Sequence, residues 1–394
     1  MTDAVAFTDR AREADRELAA IDGRIDWLSM LTPTNLDAVR TGFRESGYRA
    51  MPDFEYPELP AGFADLRPRL MELPMRKLGN SDIEALLTEK QRELDRQIQL
   101  VRLRGRPGFT MASIDLFGDV DAALVETAEK ILATVPTRDR PAERAVDAQD
   151  FMAAARRTMA EYREQDARFD FDVVEEPTPG THIFTSSGNL HVAYDYRCAK
   201  NRVEPLIQHE VGVHSVTRFN GRCQPLAVLE CGLADYDALQ EGIAVLAEYL
   251  AGDMPPSRLR VLAARVIAAR MAIDDATGAE IYARMHEEYA LGREGAFDTT
   301  VRALRGDGMT KDALYLDGLV DLLAYLKAGG DIEFLFLGKF ALKQRVLLER
   351  LLDAGFLKKP AIVPKNFTAP ENQRCLSQVR QMNVEQFFTE KVAA

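Results

Sequence analysis

Apolar residues recur at intervals of three and four along most of this chain, which predicts a mainly helical protein. The clearest helix is expected at residues 82–101, where apolar side chains repeat at helical spacing: Ile83, Leu86, Leu87, Leu94, Ile98 and Leu100. Similar patterns predict earlier helices at 4–20, 25–30 and 35–46, and later ones at 119–134 and 147–169. The segment 51–73 is rich in proline and is not expected to form a long helix, because proline disrupts a helix interior.

The pattern changes near residue 171, where β-branched and aromatic residues begin to alternate. Segments 171–174, 181–185 and 190–194 are each typical of a short strand, and 186–189 is typical of a hairpin turn. We therefore expect a small antiparallel sheet, followed by a helix at about 199–219. The remaining helices are expected at 235–251 (capped by Asp235), 257–271, 278–291, 296–304, 310–326, 334–340, 343–352 and 379–388.

The segment Gln208–His214 reads Gln-His-Glu-Val-Gly-Val-His and holds two of the five histidines of the chain. A neutral imidazole is a common zinc ligand, and a glutamate beside a ligand can accept a proton from metal-bound water. His209, Glu210 and His214 are therefore candidates for metal binding and acid–base chemistry. The competing interpretation is an ordinary helix that carries two unrelated histidines.

The spacing of these histidines differs from that of the familiar metallopeptidase helix, where they lie four residues apart on one face. Here the spacing is five, so a regular α-helix would turn the second imidazole roughly 140° away from the first. A π-bulge would bring the two side chains back to one face. Gly212 eases such a distortion, and we expect the bulge near 211–213.

A third ligand is expected on the helix at 235–251, since a carboxylate from a second helix completes His-His-Glu zinc sites. Glu241 and Glu248 both lie there, seven residues apart and nearly on one face, so spacing alone does not choose between them. At least one of the two is expected to be a surface carboxylate. Thiolate ligation by Cys198, Cys223 or Cys231, which flank the histidines, is the weaker alternative, because imidazoles and a carboxylate are available at better spacing.

Composition and charge narrow the class of protein. The chain has 394 residues and a net charge of −12, which argues against a general nucleic-acid binder. The first thirty residues show no secretory signal, and no run of eighteen apolar residues could span a membrane, so we expect a cytoplasmic protein. We expect two regions, a helical N-terminal region at 1–165 and a catalytic region at 166–394, which could form one unit.

Four motifs in order resemble a known family. Gln240-Glu-Gly-Ile-Ala244 resembles the signature of the bacterial QEGLA-motif family, whose animal relatives are the microtubule-associated tyrosine carboxypeptidases. Gln208–His214 is similar to the His-Glu-x-x-x-His element of that family. The connecting loop, from Asn220-Gly221 to Gly232-Leu-Ala234, is also similar, as is Gly308-Met-Thr-Lys-Asp312 with Tyr315-Leu316.

The resemblance implies a zinc ion held by His209, His214 and Glu241, with Glu210 as the general base. It thereby favours Glu241 over Glu248 as the third ligand. Replacement of Glu248 should then leave zinc binding intact. The implied fold is α+β and mainly helical, with a small antiparallel sheet beside a gluzincin-like two-helix metal site. The chain departs from the family at Ile243, where leucine is usual, and at Asp307, where glycine is usual.

The implied activity is that of a zinc-dependent metallocarboxypeptidase, which removes the C-terminal residue of a peptide or protein by means of zinc-activated water. Such an enzyme needs a cation for the terminal carboxylate. Candidate substrate-binding residues are Lys311, Arg305 and Tyr315 near the last motif, and Arg218 in the basic segment after the second histidine.

Two alternatives to this activity stay open. The first is an endopeptidase or amidase that uses the same site on a bond away from the C-terminus. The second is a non-catalytic regulatory protein with a structural zinc ion, which would need a fourth ligand such as Cys198 or His182. An intact Glu210 argues against the second, because a structural site requires no base.

Overall fold

Helices dominate the computed structural model, which describes residues 5–139, 144–177, 183–252, 254–306 and 308–388. This confirms the prediction of a mainly helical protein. None of the described helices is both long and apolar enough to cross a membrane. The first eight helices are α1 (Asp9–Asp22), α2 (Trp27–Leu31), α3 (Leu36–Glu45), α4 (Phe63–Glu72), α5 (Ser81–Leu103), α6 (Phe109–Phe117), α7 (Ala122–Thr134) and α8 (Ala148–Gln165).

Capping side chains explain where several of these helices begin. The Asn80 side chain accepts hydrogen bonds from two backbone N–H groups at the start of α5. The side chains of Thr8, Asp121 and Asp147 each accept one such hydrogen bond, at the start of α1, α7 and α8 respectively. Each cap satisfies N–H groups that have no partner inside the helix.

Within the described residues, five short strands form two sheets. Strand β1 (Ala145–Asp147) pairs antiparallel with β5 (Arg197–Ala199), and β4 (Asn189–Ala193) lies between β2 (Val173–Glu176) and β3 (Ile183–Ser186). The β3–β4 pair is the expected antiparallel hairpin. However, β2 pairs with β4 in parallel, so the expectation of a wholly antiparallel sheet was wrong at this strand. Its partner is the second strand of the hairpin rather than the first.

The second half of the chain is again helical. Its helices are α9 (Val203–Ile207), α10 (Val216–Arg222), α11 (Val228–Cys231), α12 (Asp237–Leu250), α13 (Pro256–Ile273), α14 (Gly278–Ala283), α15 (Arg293–Leu304), α16 (Thr310–Lys327), α17 (Arg345–Asp353), α18 (Lys365–Thr368) and α19 (Pro370–Val379). A π-helix at Gln208–Ser215 joins α9 to α10 without a break.

Three helix predictions in this half were wrong in detail. Asp235 does not cap α12, because its backbone φ is 61° and its side chain pairs with Lys343 instead. The segment 334–340 forms only a 3-10 turn, since the Lys339 N–H donates to a carbonyl outside the segment. The segment 379–388 does not form the expected α-helix. Helix α19 ends at Val379, the residue at which the expected helix was to begin. Val379 and Phe387 are nevertheless buried.

Helix α12 lies at the centre of the fold, where its backbone contacts that of α16. A Cβ atom on Gly242 would lie 2.4 Å from the Gly318 carbonyl oxygen, and one on Gly318 would lie 1.8 Å from the Ala238 carbonyl oxygen. The two glycines therefore let these helices approach more closely than any side chain would permit. One hydrophobic cluster extends from Ala11 to Phe387. Both expected regions contribute to it, and their division at residue 165 stays a prediction.

The N-terminal helix α1 supports the loop between α10 and α12. Both carboxylate oxygens of Asp15 accept hydrogen bonds from this loop, at 2.7 Å from the Ala227 N–H and 3.0 Å from the Val228 N–H. Burial raises the pKa of Asp15 to about 6, although these hydrogen bonds act to lower it. Helix α11 thus begins on a side chain supplied by a distant part of the chain.

We predict that Gly242→Ala destabilises the protein by about 1–3 kcal/mol, because the added methyl group would overlap a backbone oxygen. Gly295→Ala is the matched control, since no atom lies within 4 Å of its added methyl group inside helix α15. That change should be neutral or stabilise by up to about 1 kcal/mol. Denaturant unfolding measures both free energies, and equal effects would contradict the proposed close contact.

Candidate metal centre

The histidines lie on the π-helix, which resolves the problem of their spacing. At its end the Val216 N–H bonds the carbonyl of Val211, five residues earlier. This hydrogen-bond pattern brings residues five apart onto one face. The imidazole centroids of His209 and His214 lie 5.1 Å apart. The prediction of a bulge near 211–213 is confirmed, and the π-helix extends beyond it on both sides.

Neighbouring hydroxyl groups support the distorted backbone. The Glu210 carbonyl accepts from the Thr185 hydroxyl at 3.1 Å and from the Ser215 hydroxyl at 3.4 Å. Ser215 also donates to Gly188 in the β3–β4 turn, at 2.8 Å. The hairpin therefore packs directly against the π-helix and supplies hydrogen-bond partners for it.

Glu241 supplies the third candidate ligand from α12. Its Oε2 atom lies 3.6 Å from His209 Nε2 and 3.9 Å from His214 Nε2. One ligand atom from each of the three residues lies within 4.8 Å of the others. The Glu241 Oε2 atom is buried and accepts no hydrogen bond from any described residue. A buried, unpartnered oxygen between two imidazole nitrogens fits a metal ion, and this donor set suits zinc.

Glu248 is fully buried, so the expectation of a surface carboxylate was wrong for this residue. One oxygen accepts from His209 Nδ1 at 2.9 Å and from Arg258 at 3.0 Å, and the other accepts from Arg202 at 2.5 Å. Burial acts to raise the pKa of Glu248, but Arg258, His209 and Arg202 hold it well below its usual range. The ionised carboxylate fixes the His209 ring with Nε2 turned toward Glu241.

The two histidines have different electrostatic surroundings. Burial acts to lower the pKa of His209, but the hydrogen bond and charge of Glu248 raise it above its usual value. His214 has a pKa well below its usual value, because of burial and the charges of His209 and Lys339. The side chain of Gln240, itself a hydrogen-bond acceptor from Thr217 at 2.8 Å, opposes this shift only in part. A neutral His214 is the form that binds metals.

Glu210 lies close to the three candidate ligands but outside the cluster they form. Its Oε2 atom accepts a hydrogen bond from the Thr185 hydroxyl at 2.8 Å. Burial raises the pKa of Glu210 and the charge of Glu241 adds to this, whereas His209 and Thr185 lower it. A carboxyl group whose pKa is raised toward neutrality is suited to accept and return a proton.

The four predicted substrate-binding residues have different surroundings. Lys311 pairs with Asp237 at 3.2 Å, in the first turn of α12, and Arg218 pairs with Glu230 at 3.2 Å. Tyr315 has a raised pKa because of burial and the charge of Glu241, so it lies near the centre.

Arg305 acts on a different carboxyl group, that of Asp312, whose pKa it helps to lower. Among the other predicted residues, Cys198 lies in β5 and is not in the ligand cluster. His182 and Asp307 lie outside the described residues.

Sequence reasoning missed the roles of Glu248 and Thr185. The seven-residue interval from Glu241 to Glu248 did carry a signal, since it places both carboxylates on the same face of α12. One then reaches Nε2 of His209 and the other reaches Nδ1. No sequence pattern indicated the role of Thr185, because a position in a hairpin does not predict which helix packs against that hairpin.

Two histidines on a π-helix and a glutamate on a central crossing helix define a candidate metal centre in a mainly helical protein. The model of the family described as microtubule-associated tyrosine carboxypeptidase matches residues 41–383. The chain belongs to that family, as the motifs indicated.

Solved structures offer weaker comparisons. A protein of Colwellia psychrerythraea described as a candidate lipoprotein is 13% identical, with a TM-score of 0.40 over 80% of this chain and 66% of that chain, just under two thirds of its length. A similar protein of unknown function from Shewanella oneidensis is 16% identical, with a TM-score of 0.37 over 73% of this chain and 69% of that chain. At such scores we draw no argument from either. No curated protein matches the chain.

We predict that Glu241→Gln and Glu248→Gln, two identical changes on one helix, have different effects. Glu241→Gln should lower the zinc content of the purified protein without lowering the stability of the metal-free protein, because Glu241 Oε2 has no hydrogen-bond partner among the described residues. Glu248→Gln should destabilise the protein by about 3–5 kcal/mol, because it removes the buried carboxylate charge that Arg202 and Arg258 share.

Glu248→Gln should also weaken zinc binding by roughly 10–100-fold through the loss of His209 orientation. This replaces the expectation that its substitution leaves metal binding intact. Metal analysis and denaturant unfolding of both variants measure the difference. Full zinc content in Glu241→Gln would show that Glu241 is not a ligand.

Proposed function

We propose that this protein is a zinc-dependent carboxypeptidase that removes the C-terminal residue of a peptide or protein. The observation that supports it best is the arrangement of His209 Nε2 and His214 Nε2 around the unpartnered Glu241 Oε2, with Glu210 beside them. Membership of a family described as carboxypeptidases supports the same class of reaction.

His209, His214 and Glu241 would hold the zinc ion. When bound, zinc supplies Lewis acidity, which polarises a carbonyl group and makes water more acidic. The hydrogen bond from His209 to Glu248 keeps the His209 ring in one orientation. Little reorganisation of the protein is then needed when the metal binds.

Glu210 would act as the general base and then as the general acid. It accepts a proton from the attacking water and delivers it to the nitrogen of the leaving amine as the peptide bond breaks. Thr185 holds the carboxylate through one oxygen, which leaves the other available for the proton. Burial of Glu210 raises its pKa and so favours both transfers near neutral pH.

The proposal includes three finer points. The catalytic residues lie in the region 166–394, the chain is related to the bacterial QEGLA-motif branch, and the protein acts in the cytoplasm on peptides or proteins. The words tyrosine and microtubule in the family description do not decide which residue this chain removes. A peptide library therefore provides the appropriate test.

We predict that the zinc-loaded protein shortens library peptides with a free C-terminal carboxylate by one residue and leaves the same peptides uncleaved when they are amidated. Mass spectrometry of the products measures this directly. Internal cleavage, or equal cleavage of both forms, would instead indicate the endopeptidase or amidase alternative. No cleavage of any peptide, with zinc present, would support the regulatory alternative.

We also predict that Glu210→Gln lowers turnover by roughly 10²–10⁴-fold, because it removes the proton acceptor but keeps the shape of the side chain. Its zinc content should equal that of the unaltered protein. Glu204→Gln is the matched control, since Glu204 is exposed on the helix that leads into the π-helix, and its turnover should not change. If Glu210→Gln loses zinc, Glu210 is a ligand and the proposed mechanism is wrong.

A further inference from the structure

A lysine that no sequence motif indicated lies near the candidate metal centre. Lys339 is half-buried, and its Nζ atom lies 5.3 Å from the centroid of the Tyr236 ring. Within the described part of the chain, no carboxylate lies at ion-pair distance from this ammonium group. Asp237 acts on it only at longer range. A sheltered cation without a close counterion favours the binding of an anion from outside.

The backbone around Lys339 is held on both sides. Its N–H donates to the Leu229 carbonyl and its own carbonyl accepts from the Leu233 N–H, each at 3.0 Å. A Cβ atom on the preceding residue, Gly338, would lie 3.2 Å from the Gly221 Cα atom. The segment therefore packs tightly on the loop that follows the histidine-bearing helix. This contact fixes where the lysine side chain begins.

Lys339 lies at the end of α12 that is closest to the candidate ligands. Tyr236, which its ammonium group contacts, directly precedes α12, and Glu241 lies just over one helical turn into that helix. Lys311 reaches the same end through its ion pair with Asp237. Both lysines therefore lie at the end of α12 that precedes Glu241.

Arg218 adds a second positive charge beside Lys339. It lies one helical turn after His214 and pairs with Glu230 at 3.2 Å. Its Nε atom is buried and donates no hydrogen bond to any described residue. Burial lowers the pKa of Lys339 to about 8, and Arg218 contributes more to this than any other charge. Lys339 is still mainly protonated at neutral pH.

We propose that Lys339, assisted by Arg218, binds the C-terminal carboxylate of the peptide substrate. This deepens the proposed carboxypeptidase function and rests on it. Lys339 supplies a charge without a close partner, and Arg218 supplies a directional N–H donor that has none. Of the sequence-based candidates, Lys311 and Arg218 each have an ion-pair partner at 3.2 Å, but Arg218 also has a buried Nε–H group that donates to no described residue. A carboxylate held at this end of α12 would bring the C-terminus of the substrate toward Glu241 and its neighbours.

The test measures binding rather than turnover. The Glu210→Gln protein, which should not consume its substrate, is loaded with zinc and titrated calorimetrically with the best-cleaved library peptide as the free acid and as the amide. The free acid should bind more tightly. Adding Lys339→Met should weaken binding of the acid by roughly 10–100-fold, the contribution of a charged hydrogen bond, and leave binding of the amide unchanged.

Lys339→Arg and Lys343→Met are the controls for this experiment. Lys339→Arg keeps the charge and should retain most of the preference for the acid. Lys343 lies four residues further along, pairs with Asp235 at the surface, and should have no effect when changed to Met. If Lys339→Met fails to fold, Lys339→Gln replaces it, and the zinc content of every variant is checked.

Two results would overturn the proposal in different ways. If Lys339→Met and Lys339→Gln retain the full preference for the acid, the carboxylate binds elsewhere, although the carboxypeptidase function stands. If the Glu210→Gln protein binds acid and amide equally and the unaltered enzyme removes no C-terminal residue, both proposals fail together. Loss of preference in the two lysine variants, with retention in Lys339→Arg, supports the assignment.

Discussion

The hydrogen bond from the Val216 N–H to the Val211 carbonyl closes a turn that contains one residue more than an α-helical turn. The candidate metal centre depends on this turn, because histidines five residues apart face one point only when the backbone is wound in this way. The Thr185 and Ser215 hydroxyls support the turn at the Glu210 carbonyl. Thr185 also holds the carboxylate of Glu210, so one side chain contacts both the backbone and the side chain of that residue.

Buried charge links the metal centre to the stability of the fold. Glu248 is fully buried, yet two arginines and one histidine surround it, so its ionised form is stabilised by neighbours from three elements. Glu241, on the same helix, has no such partners for Oε2. The two acids therefore differ: the protein supplies partners for both oxygens of Glu248, whereas Oε2 of Glu241 is placed as a candidate metal ligand. The close contact of Gly242 with Gly318 holds the helix that carries both.

Much of this could be predicted from the sequence, and the failures share a cause. Apolar periodicity located most helices, and the five-residue interval alone predicted the distorted turn. The preference for Glu241 came from a family resemblance, since spacing left Glu248 equally possible. The parallel pairing of β2, the hydrogen bond of Glu248 to His209 and the position of Lys339 all depend on contacts between distant segments. Local patterns carry no record of such contacts.

The carboxylate of Asp15 bears on where the functional unit begins. The family match starts at residue 41, yet Asp15 in α1 accepts both N–H groups that open helix α11. That helix leads to Leu229, whose carbonyl binds the Lys339 backbone. Helix α1 thus supports a loop that follows the histidine-bearing helix, although it lies outside the segment of the family match. Residues outside the matched segment can therefore influence the geometry of the candidate metal centre through a single buried carboxylate.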